Sequence, residues 1–538
     1  MPSSAPGEPL LATTRDVNAP PASGNHLADA LAKYIAAAAA LHPPRRIRRG
    51  ASVASALSKY GQIFTTNPDK LPYEQRALLF GRSEVVEQID AFVSHSWGSP
   101  GYMKYMTLLL EEAAPYAIVV NCLASLLAAF FQGHVYEISF GTTRMTYGFE
   151  PFFTLLQVWS PWIWFAGVAA GYVTFLVVPA LKRRRFYFVD GLCISHTDAE
   201  LKLQGIRHLG GFVALSRSLL VMWDEQYLSR LWCVYELAVF RAVHPHRPVR
   251  LLPMRLSIAV AIICVTMLVG TGFYAVGYPA LCSSLGGIAG FFVAAYLASV
   301  LFYLGCTIAG VDLELQRRVL EAQFDGFDAR AASCYNESDR VEIYAAIERI
   351  TDGGLDAFNA MVRTTLKEEV LRRSFGGGLP YVYLMTGLLP MIALALGPGI
   401  AQLSEAPIIS RVDWYIYGPT FAFCTGPLIG AWCVDDGSAI AIRASSAAGT
   451  AVKLTEVLRT PASRNAVLRS AARGAFWLAG VHCGISYFLV QFIANRPDYF
   501  GLRSVDSVWL AIVSNGYCVV RAYLTFRATP IPEHEHRL

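Results

Sequence analysis

The stretch from residue 227 to residue 240, YLSRLWCVYELAVF, carries side chains that are suited to chemistry. If the stretch is helical, Trp232, Cys233 and Glu236 share one face, because residues three and four apart are neighbours on a helix. A carboxylate such as Glu236 can stabilise developing positive charge or move a proton. The structural alternatives are that Glu236 pairs with Arg230 or supports packing, and that Trp232 and Cys233 belong to the core.

Two further segments place polar side chains where predicted strands end. The first, IDAFVSHSWG, reads as a buried strand and supplies Ser94, His95 and Trp97. The second, FYFVDGLCISHTD, supplies Asp190 and Cys193. Apolar strands then alternate with helices, which favours a parallel α/β sheet. The predicted elements are strands at 186–189, 218–223 and 249–253 and helices at 200–209 and 228–243.

In this order the three segments resemble a Toll/interleukin-1 receptor (TIR) domain. That family begins with a strand of the type D-x-F-[IV]-S-[HYF]-S, has an Asp at the end of its second strand and carries S-x-W-C-x-x-E-L on a later helix. The matching residues are Asp90, Phe92, Ser94, His95, Ser96, Asp190, Ser229, Trp232, Cys233, Glu236 and Leu237. The middle is more similar to the related heterokaryon-incompatibility (HET) domain. Residues 94–98 fit its S-Y-x-W-G, and residues 189–198 fit its I-D-x-x-C-I-N-Q-x-D, with Ser195 and His196 replacing Asn and Gln.

The chain departs from the family pattern in two respects. A predicted transmembrane hairpin interrupts the domain after its first helix, and the fifth strand and final helix are absent before the next apolar span. We expect the helices predicted at 312–375 to cover the side that is left exposed.

The resemblance implies one of two activities. Many TIR domains cleave NAD at the nicotinamide–ribose bond with the Glu of this motif, here Glu236, whereas others only assemble with other TIR domains. A carboxylate suits the cleavage, because loss of nicotinamide builds positive charge on the ribose. NAD is then a substrate and no cofactor is held tightly. Ligands of doubly wound sheets lie beyond the carboxyl ends of the strands, so the residues expected around the nucleotide are Ser94, His95, Trp97, Asp190, Cys193 and Trp232. Structural alternatives are a turn role for Asp190 and a hydrogen-bonded role for His95.

The composition predicts a membrane protein. Charged residues make up 16% of the 538-residue chain and hydrophobic residues 54%, whereas soluble domains carry about 25% charged residues. Arg-rich segments lie beside apolar runs, which favours cytosolic loops over nucleic-acid binding. The eleven Cys lack metal-ligand spacing, so neither a disulfide framework nor a metal site is predicted. The predicted fold class is an α-helical multi-pass membrane protein with an inserted α/β flavodoxin-like domain of TIR/HET type.

About eight spans are predicted, each near the roughly 20 residues that a spanning helix needs. Both termini and the TIR-like domain are predicted to be cytosolic, and membrane lipid is the expected partner. The predicted segments are a disordered and helical N-terminal region (1–81), the two parts of the TIR-like domain (82–115 and 181–254), a hairpin of spans one and two (116–180), spans three and four (255–310), a cytosolic helical segment (311–376), spans five and six (377–434), a cytosolic loop (435–474), spans seven and eight (475–526) and a cytosolic tail (527–538).

Three hypotheses of function follow from the sequence. The leading one is a membrane signalling or defence protein that hydrolyses NAD or self-associates through the TIR-like domain. The second is a non-catalytic scaffold that recruits partners, and the third is a transporter or channel that this domain regulates. Gly167-x-x-x-Gly171 and Gly286-x-x-x-Gly290 in the apolar spans predict close helix contacts.

Overall fold

The computed structural model describes residues 42–476, apart from short internal stretches, and residue 520. The stretches left out are 136–142, 150–152, 183, 248, 286, 335–336, 352, 376–378, 402–422, 425 and 449–452. The described chain is mostly helical and contains a six-stranded sheet and a two-stranded hairpin. Its strands are β1 (Arg49–Ser52), β2 (Ser83–Val85), β3 (Ala91–His95), β4 (Thr143–Phe149), β5 (Phe153–Trp159), β6 (Phe186–Phe188), β7 (Leu219–Trp223) and β8 (Val249–Pro253).

The helices divide into those of the α/β domain and those that are long and apolar. They are α1 (Val53–Thr65), α2 (Tyr73–Phe80), α3 (Gly101–His134), α4 (Pro161–Leu181), α5 (Asp190–Cys193), α6 (Ala199–Arg207), α7 (Leu209–Leu215), α8 (Leu231–Val243), α9 (Met254–Leu285), α10 (Gly287–Asp325), α11 (Glu337–Ile350), α12 (Gly354–Met361), α13 (Lys367–Phe375), α14 (Tyr381–Gly387), α15 (Leu389–Ala401), α16 (Gly426–Ala448), α17 (Leu454–Arg459) and α18 (Pro461–Ala475).

The six-stranded sheet runs in the order β2-β1-β6-β3-β7-β8. Strands β6, β3, β7 and β8 are parallel, and β1 and β2 join antiparallel at one side. Both β3 (AFVSH) and β7 (LLVMW) are buried along their whole length, as expected for parallel strands that are covered on both faces. The parallel pairing predicted for the strands near the motifs is confirmed.

The sheet begins earlier in the chain than predicted. β1 pairs with β6 through Ala51 and Tyr187 and with β2 through Gly50 and Glu84. The boundary predicted at residue 82 is therefore too late, since β1 belongs to the same sheet as the motif strands. Four residues are too short a pattern for hydrophobic periodicity to reveal a strand.

Helices from the 312–375 segment cover one side of the α/β domain, as predicted. Phe324, Ile347 and Phe358 belong to the same buried cluster as Phe92 of β3 and Val221 of β7. Helix α13 also lies against β8, the last strand of the sheet. The helices thus bury apolar surface of a sheet that ends at its fourth parallel strand.

Four of the described helices are long and apolar enough to cross a membrane: α3, α4, α9 and the part of α10 from Val293. They contain most of predicted spans one to four, and their length and composition are consistent with a membrane protein. Predicted span five is divided between α14 and α15, and span six is described only in part. Predicted spans seven and eight lie almost wholly outside the described residues.

Two details of the first four spans differ from the prediction. The second span was expected from residue 152, but residues 153–159 form β5, which pairs with β4, and α4 begins at Pro161. Pro at the first helical position is well suited to start a helix. A turn was expected at residues 277–279, yet α9 continues through Pro279. Apolar membrane helices tolerate Pro when neighbouring helices satisfy the freed backbone groups.

Glycines bring the long helices into close contact. At Gly167, part of a predicted contact motif, an added Cβ would lie 2.0 Å from Oγ of Ser125 on α3. At Gly310 of α10, an added Cβ would lie 2.1 Å from the backbone oxygen of Val434 on α16. Because the second contact is with the backbone of Val434, no side chain can move to make room for an added methyl group, and the two helices would have to separate.

We expect Gly310→Ala to destabilise the helix bundle by about 1–3 kcal/mol, the usual cost of overpacking. The apparent thermal midpoint in detergent measures this loss. Gly326→Ala is the matched control, because the nearest atom to an added Cβ there is 3.4 Å away, on Ala322. Equal midpoints for the two variants would contradict the predicted contact.

Candidate functional site

Ser94 stands at the centre of the site. It lies near the carboxyl end of β3 and is 1% exposed. Its Oγ donates a hydrogen bond to Oε2 of Glu236 on α8 and lies 2.6 Å from the hydroxyl of Tyr227. A serine hydroxyl has one proton, so Tyr227 donates to Ser94 while Ser94 donates to Glu236. This chain of hydroxyls holds the Glu236 carboxylate at the carboxyl edge of the sheet.

The Glu236 carboxyl group has an unusual proton affinity. Its side chain is half-buried, but protein atoms surround it closely, and this burial raises its pKa to about 8. The negative charge of Asp190 raises the pKa further, whereas the hydrogen bond from Ser94 lowers it. A carboxyl group with a pKa near neutrality can exchange a proton under physiological conditions, and an approaching positive charge would favour its ionised form.

Asp190 and Trp97 face each other beside this carboxylate. Asp190 is the first residue of α5, directly after β6, and its Oδ2 accepts a 2.9 Å hydrogen bond from Nε1 of Trp97. Its Oδ1 accepts a 2.7 Å bond from the backbone nitrogen of Gly191. The turn role considered for Asp190 is thus real, and the same side chain also orients the Trp97 ring.

His95 fills the space under Trp97. Its ring lies edge-on to Trp97, with centroids 5.0 Å apart, and to Phe64, at 5.8 Å. Burial lowers the pKa of His95 to about 4, so the imidazole is neutral at physiological pH. Its Nε2 lies 4.0 Å from Oδ1 of Asp190 and has no hydrogen-bond partner within the described chain. His95 therefore presents an unused polar atom beside the Asp190 carboxylate.

Two predicted ligand residues occupy packing positions instead. Cys193 is 3% exposed, its thiol contacts the backbone oxygen of Tyr187, and burial raises its pKa to about 12. Trp232 packs against the core and meets the Tyr235 ring edge-on at 5.8 Å. Cys233, on the next position of α8, points instead to the backbone oxygen of His95. The helix face toward the site is therefore defined by Cys233 and Glu236.

Sequence reasoning missed two members of the site. Tyr227 was quoted within the motif stretch but given no role, and its type carries no signal for the bond with Ser94. Lys104 lies in the first turns of α3 and places its Nζ 5.5 Å from the centroid of the Trp97 ring. It is the lone charge in the run GYMKYMTLLL, and a charge inside an apolar run is the signal that marks such a residue.

The arrangement joins a proton-exchanging carboxylate to hydroxyl, indole and imidazole groups at one edge of parallel strands. Such an edge is where doubly wound sheets bind ligands. Within the described residues, no group of three His, Cys, Asp or Glu side chains is placed to hold a metal ion. The site thus suits acid–base or electrostatic chemistry by side chains.

We expect Trp97→Phe to destabilise the domain by about 1 kcal/mol, the typical worth of one hydrogen bond. The variant removes the Nε1 donor to Asp190 but keeps an aromatic ring beside His95. Thermal unfolding of the detergent-solubilised protein measures the difference. Trp432→Phe is the control, since that residue is 50% exposed, and equal midpoints for both variants would argue against a structural Trp97–Asp190 bond.

A cavity of about 550 Å³ lies elsewhere, between α16 and α18, and is lined by Asp436, Ile440, Arg443, Ala466, Arg469, Ala472, Arg473 and Phe476. It shares no lining residue with the group of side chains around Glu236 at the edge of the sheet. Because the chemistry-bearing side chains converge on the sheet edge, the functional assignment rests on that group of residues. Comparison of the chain with family models, with curated proteins and with solved structures found no match.

Proposed function

We propose that this chain is a membrane-embedded signalling or defence protein of TIR/HET type, whose α/β domain hydrolyses NAD at the nicotinamide–ribose bond. The observation that carries the proposal is the Glu236 carboxylate, held by Ser94 at the carboxyl edge of the parallel strands with its pKa raised to about 8. A carboxylate in that position is what the reaction needs, and it occupies the motif position where NAD-cleaving TIR domains carry theirs.

The strand order supports a flavodoxin-like domain. Numbered along the chain from β3, the four parallel strands lie in the order 2-1-3-4, which is the beginning of the flavodoxin-like order 2-1-3-4-5. In that fold the ligand binds where the strand order reverses, between the first and third strands, which here are β3 and β7. Ser94 lies on β3, and Asp190 follows its neighbour β6.

The proposed reaction is a hydrolysis with no external oxidant or reductant. The bond between ribose C1′ and the nicotinamide nitrogen breaks, and its electron pair goes to the nitrogen, which loses its positive charge. Positive charge develops on the ribose, and the Glu236 carboxylate stabilises it. Water then adds to C1′ and releases a proton, giving ADP-ribose and nicotinamide.

The membrane helices are proposed to place this domain at the cytosolic surface. Lys182 and Arg185, two cations directly after α4, favour a cytosolic end for that helix. α3 begins beside the site, where Lys104 lies 5.5 Å from the Trp97 ring, and continues into its apolar part as one helix. A change in the membrane helices therefore has a direct structural route to the site.

The test is nicotinamide release by the full chain purified in detergent. Wild type and Glu225→Gln should turn over NAD alike, because Glu225 is exposed at the same end of the domain, whereas Glu236→Gln should not. Nicotinamide and ADP-ribose are quantified chromatographically. Equal turnover by Glu236→Gln and wild type, or no turnover by a folded and assembled sample, would overturn the proposal.

A non-catalytic interaction module is the second candidate. The Tyr227–Ser94–Glu236 hydrogen bonds also tie the 227–243 region to β3, which is what a purely structural role for Glu236 predicts. In that case Glu236→Gln leaves self-association and partner recruitment intact, and wild type releases no nicotinamide at any oligomeric state. Analytical ultracentrifugation and the release assay on the same samples separate the two candidates.

A further inference from the structure

Lys104 is a buried cation without a hydrogen bond. Its side chain is 0% exposed, and its Nζ has no partner within the described chain. The neighbouring residues Met103 and Tyr105 pack against the core of the sheet, so this part of α3 belongs to the α/β domain and not to the lipid. Because an unpaired buried charge is costly, the structure retains it at the expense of stability.

The acidic groups around Lys104 do not satisfy it. Asp190 and Asp224 attract it electrostatically, but neither carboxylate makes a hydrogen bond with Nζ. The Trp97 ring lies 5.5 Å from Nζ and offers only a cation–π contact. Lys104 therefore keeps all three ammonium donors available for a partner of opposite charge.

Two further features point to the same place. Lys104 lies in the first turns of a 34-residue helix that begins at Gly101 without a side-chain cap, and the start of a long helix favours anions. His95 leaves Nε2 unpartnered next to Asp190. Buried donors and acceptors without partners are rare in native proteins, so two of them around one ring indicate a place for a polar ligand.

We propose that Lys104 and the first turn of α3 form an anion subsite, which holds the pyrophosphate of NAD while its ribose lies at Glu236. This inference rests on the proposed function. Asp190 connects the two halves, because its charge acts on both Lys104 and Glu236. In NAD the pyrophosphate is joined to the reacting ribose through a single methylene, so neighbouring subsites are what this substrate requires. Because Lys104 is 0% exposed and lies 5.5 Å from the Trp97 ring, binding of the phosphate requires this ring to move.

Kinetics on two substrates test the subsite. Lys104→Met keeps the length of the side chain and removes its charge, and it should raise KM at least about tenfold for NAD. It should change KM less than about twofold for nicotinamide riboside, which has the same scissile bond and no phosphate. Lys202→Met, at a cation that pairs with Asp69 on the surface, should match wild type on both substrates. Equal effects of Lys104→Met on the two substrates would overturn the proposal.

A binding measurement separates this inference from the catalytic one. Calorimetry with ADP-ribose uses Glu236→Gln as the parent protein, so that no turnover is needed. Adding Lys104→Met should weaken ADP-ribose at least about tenfold and leave nicotinamide riboside unaffected. If ADP-ribose binding depends on Lys104 while wild type hydrolyses no NAD, the subsite stands and the proposed reaction fails. If the Glu236→Gln protein binds ADP-ribose equally well with and without Lys104→Met, the subsite is wrong whatever the turnover.

Thermal unfolding of the ligand-free protein excludes a structural explanation. A Lys104 that serves the fold would make Lys104→Met less stable than wild type. If Lys104 instead serves to bind a ligand, Lys104→Met should be as stable as the ligand-free wild type or more stable, because the variant lacks the unpaired buried charge. A lower midpoint for Lys104→Met together with unchanged ADP-ribose binding would reject the subsite.

Discussion

Glu236→Gln should lower the rate of nicotinamide release by at least about a hundredfold, the loss typical of removing one preorganised electrostatic group from a site. Glutamine preserves the shape of the side chain and can still accept the bond from Ser94, but it carries no negative charge. The release assay at saturating NAD measures the change. A variant that keeps more than about a tenth of the wild-type rate would show that charge at this position does not act on the ribose.

The pH dependence of wild-type activity is a second test of the role of the same carboxylate. Its ionised form is the working form in the proposed reaction, and its pKa is raised to about 8. We therefore expect kcat/KM to rise as the pH approaches about 8, since kcat/KM reports groups of the free enzyme. With nicotinamide riboside, whose binding does not need the charge of Lys104, it should then level off. The residual activity of Glu236→Gln should lack this rise. A wild-type profile that is flat from pH 6.5 to pH 9 would contradict the assignment.

As the pH rises, the stability of the wild-type protein should fall while its activity increases. The unfolded chain gives a Glu a pKa of about 4.3, whereas burial raises it to about 8 in the folded protein. Between these values the folded state holds a proton that the unfolded state has released, so stability is fully present below about pH 4 and falls as the pH rises to about 8. Glu236→Gln has no carboxyl group to ionise, so its stability should not fall in this pH range. At pH 8.5 the variant should therefore be more stable than wild type by about 2 kcal/mol, a value reduced from that of the full pKa shift because the side chain is partly exposed.

Thermal midpoints of the two proteins at pH 6 and pH 8.5 measure this effect. The wild type should lose more stability than Glu236→Gln between the two pH values. Glu225→Gln should behave as wild type, because its carboxyl group is exposed. Parallel midpoints for wild type and Glu236→Gln at both pH values would show that the carboxyl group titrates normally.

That the site residues lie close together could be predicted from the sequence, because their proximity depends on strand order and helix spacing. Ser94 and Asp190 follow predicted strands, and the ends of parallel strands meet at one edge. Glu236 needed only the helical spacing of its motif to face that edge. By contrast, Cys193 was expected there because it follows a predicted strand, but its thiol contacts the backbone oxygen of Tyr187. Trp232 packs against the core, which was its structural alternative, and which face of a short helix turns inward depends on packing that the motif does not encode.

The remaining errors arise where tertiary contacts outweigh local pattern. β1 and β2 are too short to show a period, and they form because the edge of β6 offers unpaired backbone groups. Helix α9 continues through Pro279, as apolar helices can when packing satisfies the backbone groups that Pro frees. Lys104 is buried by the packing of α3 on the sheet, and a sequence shows only that its neighbours are apolar.

Glu112 joins the membrane hairpin to the sheet. Its side chain is 1% exposed and accepts hydrogen bonds from Nζ of Lys182 at 2.7 Å, from Nη1 of Arg185 at 3.2 Å and from the hydroxyl of Tyr187. Glu112 lies on α3, whereas its three partners follow α4 and lead into β6. One carboxylate therefore holds both ends of the hairpin against the α/β domain.

Glu112→Ala should reduce the free energy of unfolding by about 3 kcal/mol, because removing one partner of a buried ion pair leaves the others unsatisfied. The Tyr187 hydroxyl is buried and loses its acceptor, whereas Lys182 and Arg185 recover some hydration, since their side chains are 18% and 42% exposed. Glu112→Gln keeps an acceptor for Tyr187 and should lose less. Chemical denaturation in detergent measures both variants.

The matched control is Glu337→Ala, where the carboxylate is 78% exposed and pairs with Arg340 on the same helix. Removing a surface pair should change stability by less than about 0.5 kcal/mol. A Glu112→Ala variant no less stable than this control would mean that apolar packing alone holds the hairpin to the domain. A large loss confined to Glu112 would instead show that this buried carboxylate holds the two ends of the hairpin to the sheet that carries Ser94.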